Sequence, residues 1–297
     1  TVHSFQRPDA SHTELDETAT TLGGHAGSAA FGKISGDRTR FNSFVGYKTP
    51  GFDVNDLGYQ RRADERTTNN WFQYRDFVPS RFVRNWNINF NQWAGWNFGG
   101  DRLFSGGNVN THWTFVNNYS FGVGVNLNAA PFRDRATRGG PGVLANPSRG
   151  VWFYANTDNR KALSFSYNGY YEADGQGTNR RNVNPWINLR PSSAISLAAG
   201  LRYEINKDDA QWVSNVEEDG GATHYVFGRI DQKTVAMTLR FNYTMTPTLS
   251  LQIYAEPFVS AGAYTGYKEL VDGRAEDWQS RYAPYDYRGN ADFNYRS

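Results

Sequence analysis

Polar and apolar residues alternate between Lys233 and Glu256, in two segments that a proline-containing turn joins. The apolar positions are Val235, Met237, Leu239, Phe241, Tyr243 and Met245 in the first segment, and Leu249, Leu251, Ile253 and Ala255 in the second. Successive residues of a β-strand point to opposite faces, so a period of two puts every apolar side chain on one face of a sheet. The pattern predicts a β-hairpin with its turn at residues 246–248.

Similar segments recur along nearly the whole chain, from an extended start at residues 2–6, and predict about fourteen antiparallel strands. Short turns rich in Gly, Asn, Asp, Ser, Thr or Pro are expected at residues 36–37, 79–80, 117–118, 158–159, 191–193 and 246–248. Longer connections alternate with them at residues 48–70, 131–149, 173–180 and 263–286, and a short one lies at 99–102. Such asymmetry is typical of outer-membrane barrels, whose short turns are periplasmic and whose long loops are extracellular. The predicted fold class is therefore an all-β, antiparallel transmembrane barrel.

Residues 194–245 are predicted to form one long hairpin, because four shorter strands would reverse the side on which the short turns lie. Its tip is expected at residues 219–221. Each arm is longer than the roughly 9–11 residues that cross a bilayer, so residues 207–232 are expected to protrude as an extracellular hairpin. The candidates for binding a protein partner or a glycan are Trp212, Tyr225, Phe227 and Trp278.

The alternation also sorts the strand residues into a lipid-facing and a lumen-lining set. Apolar residues such as Phe121, Val125, Leu197 and Leu201 are expected to face lipid. The predicted lumen-lining residues are Arg40, Asn42, Asn85, Asn87, Asn89, Asn91, His112, Arg202, Glu204, Arg240, Asn242, Gln252 and Glu256. Unpaired amides in lipid cost several kcal/mol each, so the asparagines need a wet or hydrogen-bonded interior. That interior is either an open pore or a lumen packed shut by polar networks.

Composition agrees with a barrel and excludes several other classes. Aromatic residues make up 16% of the chain although the mean hydropathy is −0.70, as expected for an apolar outside, a polar inside and aromatic girdles. No run approaches the roughly 20 apolar residues of a spanning helix. The net charge of +2 gives no nucleic-acid footprint, and the absence of Cys excludes disulfides and thiolate chemistry. No signal peptide is visible, which predicts a mature chain or a fragment.

Candidate chemistry is sparse. His112 is the one His on the predicted polar face, and Ser105, Asn110 and Ser120 lie near it in sequence. A hydrolase acting on envelope lipid or glycan is the alternative function, and it requires a nucleophile and an acid beside His112. No residue spacing predicts a metal site or a cofactor. A soluble β-sandwich is a third alternative, in which a second sheet would cover the apolar faces.

Several longer motifs resemble one bacterial family. They are TPGFDVNDLGYQRRAD at residues 49–64, DAQWV at 209–213, THYVFGR at 223–229 and NYTMTPTLSLQ at 242–252. The chain resembles uncharacterised membrane barrels known as carbohydrate-binding family nine domain-containing proteins. The resemblance implies location in the outer membrane, in contact with its lipid and lipopolysaccharide, and a sugar-binding-like sandwich domain before the barrel. It also implies further strands after Ser297, so that these segments belong to a larger barrel and both ends are truncated.

Overall fold

The computed structural model describes Phe5 and residues 7–297, and it is almost entirely β-structure. The predicted extended segment at residues 2–6 lies outside the described residues except for Phe5. The strands are β1 (Ala26–Lys33), β2 (Thr39–Lys48), β3 (Glu65–Asp76), β4 (Val83–Trp96), β5 (Arg102–Phe115), β6 (Ser120–Asn128), β7 (Phe132–Arg133), β8 (Val143–Leu144), β9 (Ser148–Asn156), β10 (Leu163–Ala173), β11 (Asn179–Leu189), β12 (Ile195–Glu217), β13 (Thr223–Thr246), β14 (Leu249–Ala255), β15 (Phe258–Leu270), β16 (Tyr282–Pro284) and β17 (Phe293–Arg296).

Fifteen of these strands form one antiparallel sheet. Neighbours in the sheet follow the order β1-β2-β3-β4-β5-β6-β9-β10-β11-β12-β13-β15-β16, with β14 beside β13 and β17 beside β15. The predicted all-β, antiparallel organisation is confirmed. No helix in the described part of the chain has the length and apolar character needed to span a membrane.

The connections alternate between the two ends of the sheet. Short turns join β1 to β2, β3 to β4, β5 to β6, β9 to β10, β11 to β12 and β13 to β14 at one end, as predicted. At the other end lie residues 49–64, 97–101, 129–147, 174–178, 218–222 and 271–281. We call these the short-turn end and the long-loop end. The single long hairpin is also confirmed, because β12 pairs with β13 from Ile195↔Tyr243 to Glu217↔Thr223.

Two strand boundaries differ from the predictions. β3 begins at Glu65 rather than after Asn70, because a polar stretch with no apolar alternation still pairs with β2, from Lys48↔Glu65 onward. β15 continues to Leu270, well into the loop expected from residue 263. β14 and β15 are two parts of one path along β13, interrupted at Pro257, which has no N–H to donate.

The sheet is not closed into a barrel, and this corrects the prediction. Among the described residues, β1 pairs with β2 alone, and β16 and β17 each pair with β15 alone. The final strands have only three and four residues, which is too little to supply a full pairing edge for the eight residues of β1. Closure would require a longer strand at that position.

The pairing register gives the sheet two chemically different faces. Residues directly opposite each other point the same way, so Phe72, Phe90, Val109, Val125 and Val151 form one row across five strands. We call this the outer face. Its exposed apolar side chains include Phe121, Leu127, Phe165, Ile187, Leu197, Leu201, Val235, Met237, Leu239, Leu251, Ile253 and Val259. The opposite, polar side is the inner face.

The main buried apolar cluster lies at the long-loop end. Phe132 and Val143 of the small β7–β8 hairpin, with Val226, Phe227 and Ile230 of β13, are all buried. Loops fold over the sheet there and supply the second layer that a core needs.

Candidate functional site

The inner face collects the residues that the alternation predicted to line a lumen. One row runs through Arg40, Gln73, Asn89, Asn110, Gly124, Trp152, Tyr170, Asn182, Glu204, Thr234 and Ser260. The register also places Asn42, Asn85, Asn87, Asn91, His112, Arg202, Arg240, Asn242 and Gln252 on this face. Glu256 follows β14 in the break before Pro257, where it accepts a hydrogen bond from the Tyr254 hydroxyl.

A network of side-chain amides joins β3 to β6 on this face. Gln73 Nε2 donates to Asn89 Oδ1 at 2.9 Å, and Asn89 Nδ2 donates to Asn110 Oδ1 at 2.7 Å. Asn91 Nδ2 donates to Asn108 Oδ1 at 3.1 Å, and Asn108 Nδ2 donates to Asn126 Oδ1 at 2.5 Å. Each amide can both donate and accept, so the chain of bonds fixes the side chains while leaving further donor and acceptor capacity.

His112 lies in an aromatic group on the inner face. Its Nδ1 lies 2.9 Å from the Tyr154 hydroxyl, and its ring centroid lies 5.6 Å from that of Trp152. Ser120 Oγ accepts instead from Asn156 Nδ2, at 3.0 Å. The hydroxyl among these contacts belongs to Tyr154, and the contacts include neither a carboxylate nor a Ser or Thr hydroxyl.

The long-loop end is covered by what we call the loop cap, formed by residues 7–13, 49–64, 97–101, 129–147 and 271–281. At its centre Arg7 is 1% exposed and bonds two carboxylates, with Nη2 at 2.6 Å from Asp64 Oδ2 and Nη1 at 2.6 Å from Asp134 Oδ2. Arg62 Nη2 also lies 2.5 Å from Asp134 Oδ2, and His12 Nε2 lies 2.9 Å from Asp64 Oδ2. The N-terminal segment is therefore joined to two loops by a buried network of charges.

The charges and the burial of this network shift the pKa values of two of its members, Asp64 and Arg135. Burial opposes ionisation of Asp64, but the Phe98 N–H at 2.9 Å, His12 and Arg7 outweigh it and hold the pKa of Asp64 below its usual range. Burial, aided by the nearby Arg62, lowers the pKa of Arg135. Asp64 also has a φ of 58°, a left-handed conformation that favours glycine and that these bonds hold in place. The network thus stabilises the ionised form of Asp64 at neutral pH.

Further bonds connect the rest of the loop cap. Leu144 N donates to Gly273 O at 2.7 Å, which joins β8 to the last long loop. Arg274 Nη1 lies 2.7 Å from Asp101 Oδ1, and buried Arg281 donates to Asn146 Oδ1 at 3.0 Å. Loops that are far apart in sequence thereby form one packed layer.

A cavity of about 250 Å³ lies between the loop cap and the inner face. Its polar lining includes Glu172, Asp174, Asp208, Arg133, Arg180 and Asn146, and its aromatic lining is Phe104, Phe227, Trp278 and Tyr282. Glu172 accepts from Ser148 Oγ at 2.5 Å and from the Tyr170 hydroxyl at 2.6 Å. Tyr170 belongs to the inner face below, so the cavity and that face are directly connected.

The four predicted contact aromatics lie against the loop cap. The Arg138 guanidinium lies 3.9 Å from the Trp212 ring centroid, and a Cβ at Gly140 would meet the Tyr225 ring at 2.1 Å. Phe227 is 2% exposed and packs edge-on against Tyr282, while Trp278 contacts the other side of Tyr282. Phe227 and Trp278 therefore line the cavity. Residues 207–232 are not an isolated hairpin, because loop 129–147 packs on them.

The charge network and the cavity were not predicted from the sequence. Arg7 lies 57 residues from Asp64 and 127 from Asp134, and no periodic pattern relates them. The 49–64 motif was the available signal, because it contains both Arg62 and Asp64.

One family model, described as a domain of unknown function (DUF5916), matches residues 3–297, and the chain belongs to this family. Comparison with curated proteins and with solved structures gave no match. The family description assigns no activity, so the predicted link to carbohydrate-binding family nine proteins stays a prediction.

Proposed function

We propose that this member of the DUF5916 family is a noncatalytic β-barrel protein of the bacterial outer membrane, acting as a pore, uptake component or surface scaffold. In this proposal the outer face contacts lipid and lipopolysaccharide, the inner face lines the lumen, and the loop cap lies outside the cell. Its loops would bind a protein partner or a glycan.

The separation of the two faces is the observation that supports the proposal most. Large apolar side chains are exposed along the outer face, including Val125 at 50% in the five-strand row from Phe72 to Val151, and Leu239 at 39%. Soluble monomers rarely expose apolar patches of more than a few hundred Å². In the described chain the second sheet consists only of β7 and β8, with two residues each, which is too small to cover this face.

The aromatic side chains on the outer face are spaced as in a membrane barrel. Trp86 stacks on Trp113 near the short-turn end, with ring centroids 5.4 Å apart, and exposed Trp96 ends β4 at the other end. The ten residue-to-residue steps from Trp86 to Trp96 span roughly 33 Å of strand at about 3.3 Å each. A strand tilt of about 40° reduces this to roughly 25 Å, the usual height of the apolar band.

Barrel closure is part of the proposal. Unsatisfied backbone groups are costly in lipid, so an open sheet edge does not persist in a bilayer. We propose that the edges at β1 and β17 pair with strands outside the described sheet.

Single-cysteine spin labelling tests the membrane orientation, because the chain has no Cys that would react in the background. Val125→Cys and Asn126→Cys place labels on neighbouring positions of opposite faces of β6. In proteoliposomes we expect the label at 125 to be relaxed by lipid-soluble oxygen and the label at 126 by a water-soluble nickel chelate. Equal access of the chelate to both positions would contradict the membrane proposal.

The pore form has its own test. Full-length protein reconstituted in planar bilayers should give discrete conductance steps. A folded, inserted protein without conductance would rule out the open pore and favour a lumen closed by the loop cap and the amide network.

A further inference from the structure

The inner face contains a repeated arrangement of aromatic rings and glycines. Trp93 is opposite Gly106, Trp152 is opposite Gly124, Tyr154 is opposite Gly122 and Trp186 is opposite Gly200. A Cβ at Gly124 would meet the Trp152 ring at 2.5 Å, and one at Gly122 would meet the Tyr154 ring at 2.3 Å. The missing Cβ atoms allow these rings to lie flat across the neighbouring strand.

Trp152 and Tyr154 together form a flat platform. Their ring planes differ by 6° and their centroids are 6.3 Å apart, close to the roughly 6.6 Å between alternate residues of one strand. One side of each ring rests on β6, both side chains are partly exposed, and the other side faces the interior.

From β4 to β9, the inner face around this platform carries no ionisable side chain other than His112 and Tyr154, whereas the next two strands add Tyr170, Glu172 and Arg180. On β4, β5, β6 and β9, the inward positions 85–93, 106–114, 120–128 and 150–156 hold Asn, Gly, Ser, Thr, His, Trp or Tyr, without Asp, Glu, Lys or Arg. The inward positions of β12 and β13, in contrast, include Arg202, Glu204 and Arg240. On its β4 to β6 side the platform is bordered by amides and ring faces without a fixed charge, and Glu172 lies on its β10 side, toward the long-loop end.

From this arrangement we propose that the inner face from β4 to β9 binds an uncharged oligosaccharide. A sugar ring has an apolar C–H face, which stacks on an aromatic ring, and a rim of hydroxyls, which pair with groups that both donate and accept. Asn126 and Asn156 are partly exposed and supply such amides beside the Trp152–Tyr154 platform, and Asn168 and Asn182 continue them on the other side. A negatively charged polymer would find no Lys or Arg among the inward positions of β4 to β9. The inference rests on the proposed function, in that the inner face must line an accessible lumen.

The experiment is isothermal titration calorimetry of the full-length protein in detergent micelles. The probes are maltohexaose and cellohexaose, with hexagalacturonate as the charged counterpart. We expect at least one neutral hexasaccharide to bind, and hexagalacturonate to bind about tenfold more weakly or not at all.

Variants locate the site. Trp152→Ala removes half of the platform and should weaken binding of the neutral probe by about tenfold, the equivalent of roughly 1.4 kcal/mol. Gly124→Ala keeps the tryptophan but tilts its ring, and should also weaken binding. Trp113→Ala is the matched control, because Trp113 lies on the outer face of β5. Circular dichroism confirms that each variant folds.

The outcomes separate the inference from the function on which it rests. If both neutral probes fail to bind while the labels at 125 and 126 show opposite exposure, the oligosaccharide inference is wrong and the membrane proposal stands. The inference would also be overturned if hexagalacturonate bound as tightly as the neutral hexasaccharides. The same holds if Trp113→Ala weakened binding of the neutral probe as much as Trp152→Ala. If the labels show no difference in exposure, the membrane proposal itself fails.

Discussion

The outer face and the loop cap hold their large apolar side chains in opposite surroundings. On the outer face Phe90 is 45% exposed, whereas Phe227 beneath the loop cap is 2% exposed. In the membrane proposal the first surface is stabilised by an apolar solvent, whereas the second depends on close packing and buried ion pairs. One continuous strand, β13, takes part in both, since Leu239 and Phe227 lie twelve positions apart.

Removing the central cation of the loop cap should have the largest effect. Arg7→Met leaves Asp64 and Asp134 buried with less counter-charge, and breaking such pairs costs about 3–5 kcal/mol. We expect faster trypsin cleavage within loop 129–147, at Arg135 or Arg138, under native conditions. The control is Lys207→Met, which removes a half-exposed pair with Asp231 at 3.1 Å and should cost about 0–1 kcal/mol. Equal cleavage rates in both variants would show that the buried network does not hold the loop cap.

Matched truncations compare packing in the two regions directly. Phe227→Ala creates a cavity and should destabilise the loop cap by about 3–5 kcal/mol. Phe90→Ala should cost about half as much or less, because detergent or lipid chains fill the space and only the transfer contribution is lost. Chemical unfolding in micelles measures both. A larger loss for Phe90→Ala would contradict the assignment of the outer face to lipid.

Charge placed on either face of β13 gives the next comparison. Leu239→Arg puts a guanidinium on the outer face and should oppose membrane insertion by about 2–4 kcal/mol if the site lies near the bilayer centre. Thr238→Arg, one residue away on the inner face, should insert normally. The yield of each variant that folds into liposomes measures the difference. Similar yields for Leu239→Arg and Thr238→Arg would contradict the assignment of the two faces to lipid and lumen.

Acid should weaken the loop cap while leaving the strands of the sheet paired. The pKa of Asp64 is lower in the folded chain than its ordinary value of 3.8, so its contribution to stability is complete above that value. The contribution is lost as the pH falls through the folded-state pKa. We expect the near-ultraviolet circular dichroism of the loop cap to diminish below about pH 4 and the β-sheet signal to persist. Asp64→Asn should have a weaker loop cap at pH 7 and a smaller change with acid.

The sequence predicted the sheet better than the loop cap, for a physical reason. Strand alternation is local, and Gly, Asn, Asp and Pro mark their own turns, so every short turn was found. The described strands alone do not close into a barrel, because closure depends on how long the last strands are, and Tyr282–Pro284 and Phe293–Arg296 are short. Closure with further strands stays a prediction. Pro257 was a local sign of the break between β14 and β15 that the pattern alone did not reveal.

In the candidate site, too, the features that follow from local patterns were predicted and those that depend on long-range contacts were not. The polar positions of the inner face follow from the period of two, and the register brings Asn89 beside Asn110 as the alternation implies. The Arg7 network depends on pairings across more than fifty residues, which local patterns do not encode. The ring platform had a readable signal, since Gly122 and Gly124 alternate on β6 and Trp152 and Tyr154 alternate on β9.

The amide network on the inner face has a consequence for the conditions under which the protein can work. Carboxamides neither gain nor lose protons near neutral or mildly acidic pH, and dissolved salt has little effect on a bond between neutral groups. The hydrogen bonds among the buried side chains of Asn89, Asn108 and Asn110 therefore stay the same when the pH or the salt concentration of the medium changes. A passage lined by such a network would select solutes by their shape, and a change in pH or salt concentration would not alter this selectivity.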